Sequence, residues 1–249
     1  MLTRRELLAL GSIGLLTLAL TQRRRTGDGR LSARLASPTM KIGPGEHALG
    51  LGGDRDGVLI VPKGYSPNTP AALALMLHGA GGSGRRVSSL FSVAAELGVI
   101  VLAPESRSGT WDAIASGYGP DVAFLNRALE HTFARCAIDA RRVAIGGFSD
   151  GATYGLSIGL ASADLFTHIL ACSPGFIIPG TTPSSGRRPK IFISHGTADQ
   201  ILPIDETSRR IVPALERASF AVKYREFNGP HRVPPEIARE AFEWFLQAA

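Results

Sequence analysis

The chain has 249 residues, 44% of them hydrophobic, and a formal net charge of +6. That is enough apolar material for one substantial core and one domain. The basic balance does not mark a nucleic-acid binder: seven arginines (4, 5, 23, 24, 25, 30 and 34) stand against Glu6 and Asp28 in residues 1–34, a net of +5, so about +1 remains for the rest. A nucleic-acid binder would carry its positive charge on the folded domain.

In chain order, Thr3-Arg4-Arg5-Glu6 opens the amino terminus, and an uncharged apolar run over 7–20 follows. A charged start and an apolar stretch too short for a comfortable membrane span read as an export signal over 1–21. The arginine pair resembles a twin-arginine signal, so the expected location is periplasmic or secreted in a bacterium. The alternatives are an ordinary secretory signal or an uncleaved anchor, which would be the only membrane contact. Residues 22–45, rich in Arg, Gly, Ser and Pro, read as a flexible tether. The folded domain is then placed over 46–249.

That domain begins with a hairpin signal, two short extended runs around Gly52-Gly53-Asp54-Arg55-Asp56-Gly57. Strands are expected at 72–77, 99–103, 143–145, 168–172, 190–194 and 220–227. Helices are expected at 85–97, 121–133, 152–163, 206–218 and 235–247. Short apolar strands alternating with amphipathic helices predict a mostly parallel sheet covered on both faces. In such sheets the active groups gather at the carboxyl ends of the strands. Cys136 precedes the strand at 143–145 and Cys172 ends the next one, so the pair belongs at opposite ends of the sheet. Two buried free thiols are expected rather than a disulfide.

At the centre lies Gly147-Phe148-Ser149-Asp150-Gly151, a G-x-S-x-G nucleophile elbow in which a strand turns sharply into a helix. A serine hydroxyl barely ionises at neutral pH and needs a positioned base, whose tautomer a third group must fix. On this kind of sheet the partners follow in the order serine, acid, histidine. The acid is expected at Asp199, on the loop after the strand at 190–194, with Asp205 as its rival. The base is His231, the last of six histidines, in Phe227-Asn228-Gly229-Pro230-His231. The oxyanion requires two backbone donors. They are expected at Asp150, directly after the nucleophile, and at Ala80 in His78-Gly79-Ala80-Gly81-Gly82-Ser83-Gly84. That glycine loop lacks the G-K-[ST] ending of a phosphate loop.

The glycine loop, the elbow, His195-Gly196-Thr197-Ala198-Asp199 and Gly229-Pro230-His231 together resemble the α/β-hydrolase superfamily. Within it the chain is similar to the phospholipase/carboxylesterase branch and its feruloyl-esterase and polyhydroxybutyrate-depolymerase-like relatives. The likeness covers roughly residues 58–247, and it implies the same triad of Ser149, Asp199 and His231. One departure is Pro230, where such relatives usually carry a second glycine.

Trp111, on the loop after the second parallel strand, is a candidate wall for the substrate pocket. Residues 173–188, where lipases place a bulky lid, form a short Pro-, Gly- and Ser-rich insertion. The sequence thus predicts an α/β-hydrolase fold with a minimal lid and a serine esterase acting through an acyl-enzyme. Its expected partner is a small or oligomeric ester, and neither metal nor organic cofactor is implied. A peptidase or amidase on the same triad, and a non-catalytic binding protein of the same fold, are the alternatives.

Overall fold

The structure is a computed structural model that describes residues 27–184 and 186–247. The export segment at 1–21 lies outside the described residues. Among the described residues, no helix is long and apolar enough to cross a membrane.

A hairpin of β1 (Gly45–Ala48) and β2 (Gly57–Val61) starts the sheet. The strands β3 (Ala71–Leu77), β4 (Ile100–Pro104), β5 (Ile138–Phe148), β6 (His168–Cys172), β7 (Lys190–Gly196) and β8 (Val222–Phe227) continue it. The order across the sheet is β1-β2-β4-β3-β5-β6-β7-β8. β2 runs antiparallel to both neighbours, and β3 to β8 are parallel. The central strands are buried along both faces, which explains why they read as continuous apolar runs and not as alternation.

Helices α1 (Gly84–Leu90), α2 (Val93–Glu96) and α7 (Pro235–Gln247) cover one face. There Val87, Phe91, Ile237, Phe242 and Phe245 form one core with Ala74, Met76 and Phe192. A short α3 (Asp112–Ala115) precedes α4 (Pro120–Phe133); these, with α5 (Asp150–Ala161) and α6 (Ser208–Arg217), cover the other face. The helix expected over 85–97 is broken at Phe91 and Ser92, where one ends and another begins. Cys136 and Cys172 are buried and free, with burial raising both thiols to about 11.

The tether expected over 22–45 needs correction wherever it is described. From residue 27 the chain forms an extended strap across α4 and α5. Leu31 and Ala33 are buried to 0% and 1% exposure, while Arg30, Ser32 and Arg34 between them face solvent. The strap's backbone is satisfied by side chains: Leu31 N donates to Ser162 Oγ at 2.9 Å, and Ser32 N and Ala33 N both donate to Asn126 Oδ1 at 2.8 Å. Arg30 and Arg34 both pair with Asp164. A period-two apolar pattern of only two residues was hidden by polar composition. Burying Leu31 alone is worth about 1.5–3 kcal/mol, enough to hold a short segment in place. The folded unit therefore extends back to residue 27 and does not begin at 46.

His168 opens β6 under α7, 2% exposed, with its ring edge-on to Trp244 and Phe245. Its Nδ1 pairs with Thr167 Oγ1 at 2.8 Å, and its Nε2 has no partner. Burial, assisted by the charge of Lys190, pushes its pKa down to about 4. The unfolded chain therefore binds this proton more readily than the fold does. His168 thus leaves stability intact above about pH 6.5 and subtracts from it as pH falls toward 4, by roughly 3 kcal/mol at the acid end. In urea titrations, wild-type protein should lose more stability between pH 7.5 and 4.5 than His168→Gln does. Equal losses would show that this histidine does not set the acid limit.

Candidate active site

The site lies at the carboxyl edge of the parallel strands. β5 ends in Phe148, and Ser149 stands between that strand and α5 with φ 59 and ψ −122. Such a backbone costs a serine on the order of 1–3 kcal/mol and persists only where surroundings enforce it. Here Ser149 N donates to Cys172 O at 3.0 Å, and Ser149 O accepts from Thr153 N at 3.0 Å. The flanking glycines are needed for space, since a Cβ on Gly147 or Gly151 would run into the carbonyl oxygen of Leu77.

The loop after β8 brings His231 over the serine, its Nε2 2.9 Å from Ser149 Oγ. Its Nδ1 lies 2.6 Å from Asp199 Oδ2. Asp199 sits on the loop after β7, where its Oδ1 accepts from Ile201 N at 2.9 Å and Leu202 N at 2.8 Å. Burial works to raise the pKa of this carboxyl, but the Leu202 amide, His231 and the Ile201 amide outweigh it and hold the group below its ordinary value. Asp199 is thus an anion at neutral pH, and an anion beside Nδ1 fixes the imidazole with its proton there and its Nε2 lone pair toward Ser149. Asp205 is excluded from this line by place: its side chain is 76% exposed and pairs with Arg209 at 2.8 Å.

The acid and histidine loops are stitched together. Thr197 N donates to Phe227 O and Ala198 N to Gly229 O. Gly196 lies so close under the Gly229 and Pro230 carbonyls that a Cβ there would collide with both. A stiff Pro230 therefore suits a turn that is already fixed from below.

The glycine loop after β3 runs alongside the nucleophile, where a Cβ on Gly79 would come within 3.2 Å of Ser149 Cβ. Gly81 N donates to Gly109 O at 2.7 Å and Gly82 N to Gly79 O at 3.0 Å. The Ala80 amide between them has no acceptor among the described residues. Asp150 is the first residue of α5, and first-turn amides lack intrahelical acceptors. Two free amides thus flank the serine. The Asp150 carboxylate is occupied elsewhere, accepting from Thr110 Oγ1 at 2.5 Å.

Trp111 requires correction. It is fully buried, stacked on Tyr154 and against His78, with Nε1 donating to His78 O at 2.9 Å. It anchors the base of the glycine loop and forms no pocket wall. Sequence reasoning took the residue because it lies on the correct rim, but rim position does not say whether a ring faces in or out.

Three participants were missed. His195 lies beneath the acid, with Nε2 3.1 Å from Asp199 Oδ2 and 2.8 Å from Leu202 O, and Nδ1 2.7 Å from Ser208 Oγ. Burial lowers its pKa, so it is neutral and donates from Nε2 to the two oxygens. Arg55, on the hairpin, donates from Nε to Ser106 O at 2.5 Å and from Nη2 to Gly82 O at 3.3 Å, bracing the glycine loop from behind. The Phe148 ring lies 4.6 Å from that of His231 and limits its swing. The only sequence signal for any of them was the four-residue spacing of His195 and Asp199.

A parallel sheet with a strained serine elbow and a following acid and histidine defines the α/β-hydrolase fold. The sequence model of the phospholipase/carboxylesterase family matches residues 122–245, and the chain has the α/β-hydrolase fold. Feruloyl esterase C of Emericella nidulans is 29% identical over 160 residues, 61% of this chain and 57% of that protein. The chain thus spans little more than half the length of the curated relatives it matches. Among solved structures, the fluorophosphonate-binding serine hydrolase FphF of Staphylococcus aureus aligns with a TM-score of 0.66 at 15% identity, covering 82% of this chain and 99% of that one. A phospholipase/carboxylesterase from Dyadobacter fermentans aligns at 0.58 and 23% identity, covering 74% and 93%. At these identities the structural likeness speaks for the fold.

Proposed function

We propose that this protein hydrolyses carboxylic esters through an acyl-enzyme on Ser149. The observation that carries the reading is the continuous line Ser149 Oγ, His231 Nε2, His231 Nδ1, Asp199 Oδ2, with contacts of 2.9 and 2.6 Å. His231 Nε2 takes the Ser149 proton as Oγ bonds to the ester carbon, and the carbonyl oxygen becomes an anion held by the amides of Ala80 and Asp150. The imidazolium, stabilised by Asp199, gives its proton to the departing alcohol oxygen. Water then attacks the acyl-serine, with His231 taking its proton and returning it to Ser149 as the acid leaves. One ester and one water give one acid and one alcohol, so neither oxidant nor metal enters the balance.

Short or soluble esters suit the site better than lipid interfaces. The described part of 173–188 contains no helix or strand, so that insertion places no helical lid over the serine. Export by the twin-arginine route is proposed on the sequence of residues 1–21 alone. The test is turnover of p-nitrophenyl acetate, butyrate and octanoate beside the matching anilides, together with fluorophosphonate labelling of the folded protein. Short-chain ester turnover with labelling on Ser149 is expected. Labelling with faster anilide turnover would move the reading to an amidase, and no labelling at all would overturn it.

A further inference from the structure

Beside the glycine loop opens a cleft of ≈ 560 Å³, bounded by Gly79, Ala80 and Phe148 on the serine's side and by Arg86, Val87 and Leu90 of α1 opposite. Its wall is mainly apolar: Val87 is buried, Leu90 half-buried, and Phe148 presents the ring that also meets His231. Within this lining the only charged side chain is Arg86, and no aspartate or glutamate accompanies it. Arg86 has no ion-pair or hydrogen-bond partner for its guanidinium among the described residues; its backbone N alone is used, donating to Ser83 Oγ. The next residue back shows the contrast, since Arg85 is paired with Glu46 at 2.8 Å. An unpaired guanidinium at the mouth of an apolar slot presents a planar donor fork, which fits a carboxylate in two parallel hydrogen bonds. Low-dielectric walls on one side strengthen that attraction relative to open water.

We propose that this cleft selects esters whose entering arm combines a short apolar chain with a terminal anionic group, a carboxylate first among them, and that Arg86 is the specificity-determining residue. The inference rests on the proposed ester hydrolysis and narrows its substrate class. The apolar segment lies on Val87, Leu90 and Phe148, and the anion pairs with Arg86 at the rim. Arg86 makes no hydrogen bond to Ser149 or to the Ala80 and Asp150 amides, so it contributes to binding the arm and leaves the acyl-transfer chemistry unchanged.

The experiment compares kcat/KM for 4-nitrophenyl hydrogen succinate, glutarate, adipate and suberate with their neutral acyl-chain counterparts. An alcohol-side pair, 4-acetoxybenzoate against 4-acetoxytoluene, covers the other arm of the ester. Wild-type protein should prefer the anionic member in at least one arm, and 0.5 M salt should reduce the preference. Arg86→Gln should lower kcat/KM for that anionic ester about tenfold, mainly through KM. Neutral esters should change less than twofold, and Arg86→Lys should restore part of the loss. Equal treatment of anionic and neutral esters in both arms, or a uniform effect of Arg86→Gln on all of them, overturns the proposal. Absence of turnover with every ester overturns the esterase reading itself, and with it this inference.

Discussion

Ser149→Ala is expected to reduce ester turnover by about 10⁶-fold and to abolish fluorophosphonate labelling. The side chain's one hydrogen bond is to His231 Nε2, so the change removes the attacking atom and little else. Alanine tolerates the φ of 59 about as well as serine does, and the contacts that enforce this backbone come from Cys172 O and Thr153 N, which remain. Circular dichroism and Tm should therefore match wild type. More than a percent of residual turnover in clean protein would mean that another group attacks the ester.

Asp199→Asn is expected to lower kcat by about 10⁴-fold. The surrounding donors dictate which way the new amide faces. The Ile201 and Leu202 amides both require an oxygen at the Oδ1 position, so the NH₂ must take the place of Oδ2. There it meets His231 Nδ1, which must then accept, moving the imidazole proton to Nε2 and leaving no lone pair for the serine hydroxyl. It also meets the Nε2–H of His195 donor to donor at 3.1 Å. A stability loss of about 1–3 kcal/mol should accompany the loss of rate, since two buried donors then face each other and the His195 Nε2–H keeps only Leu202 O. Near-normal kcat would transfer the acid's role elsewhere, yet the rival Asp205 is exposed and held by Arg209.

The same exchange shows why His195 belongs to the site although it touches no reacting atom. Its Nδ1 accepts from Ser208 Oγ and its Nε2 donates toward Asp199, so a hydroxyl at the start of α6 fixes the tautomer of a histidine that in turn steadies the acid. Trp111 and Arg55 act comparably on the glycine loop, one through His78 O and the other through Ser106 O and Gly82 O. The acid loop and the glycine loop thus each have a buried partner beneath them. Preorganisation of this kind spares the site a reorganisation cost at the moment charge develops.

The linear sequence determined the architecture and the order of the central residues. Strand and helix follow from local periodicity, and an elbow glycine two residues either side of a serine reports a steric need that no side chain satisfies. The loop-borne acid and histidine follow from the direction of parallel strands, which returns every such loop to one edge. Only the tertiary structure decided which way side chains face and what lies under the loops. Leu31 and Ala33 gave too short a pattern to outweigh the arginines between them, and Trp111 on the correct rim turned inward onto Tyr154 and His78. The choice between Asp199 and Asp205, six residues apart, depended on which carboxylate met His231, and that was set by packing between β7 and β8. Arg86 illustrates the same limit, because an unpaired charge is defined by the absence of an acid nearby in space. Contacts between residues distant in the chain carry no local pattern, so they become visible only when the sheet brings them together.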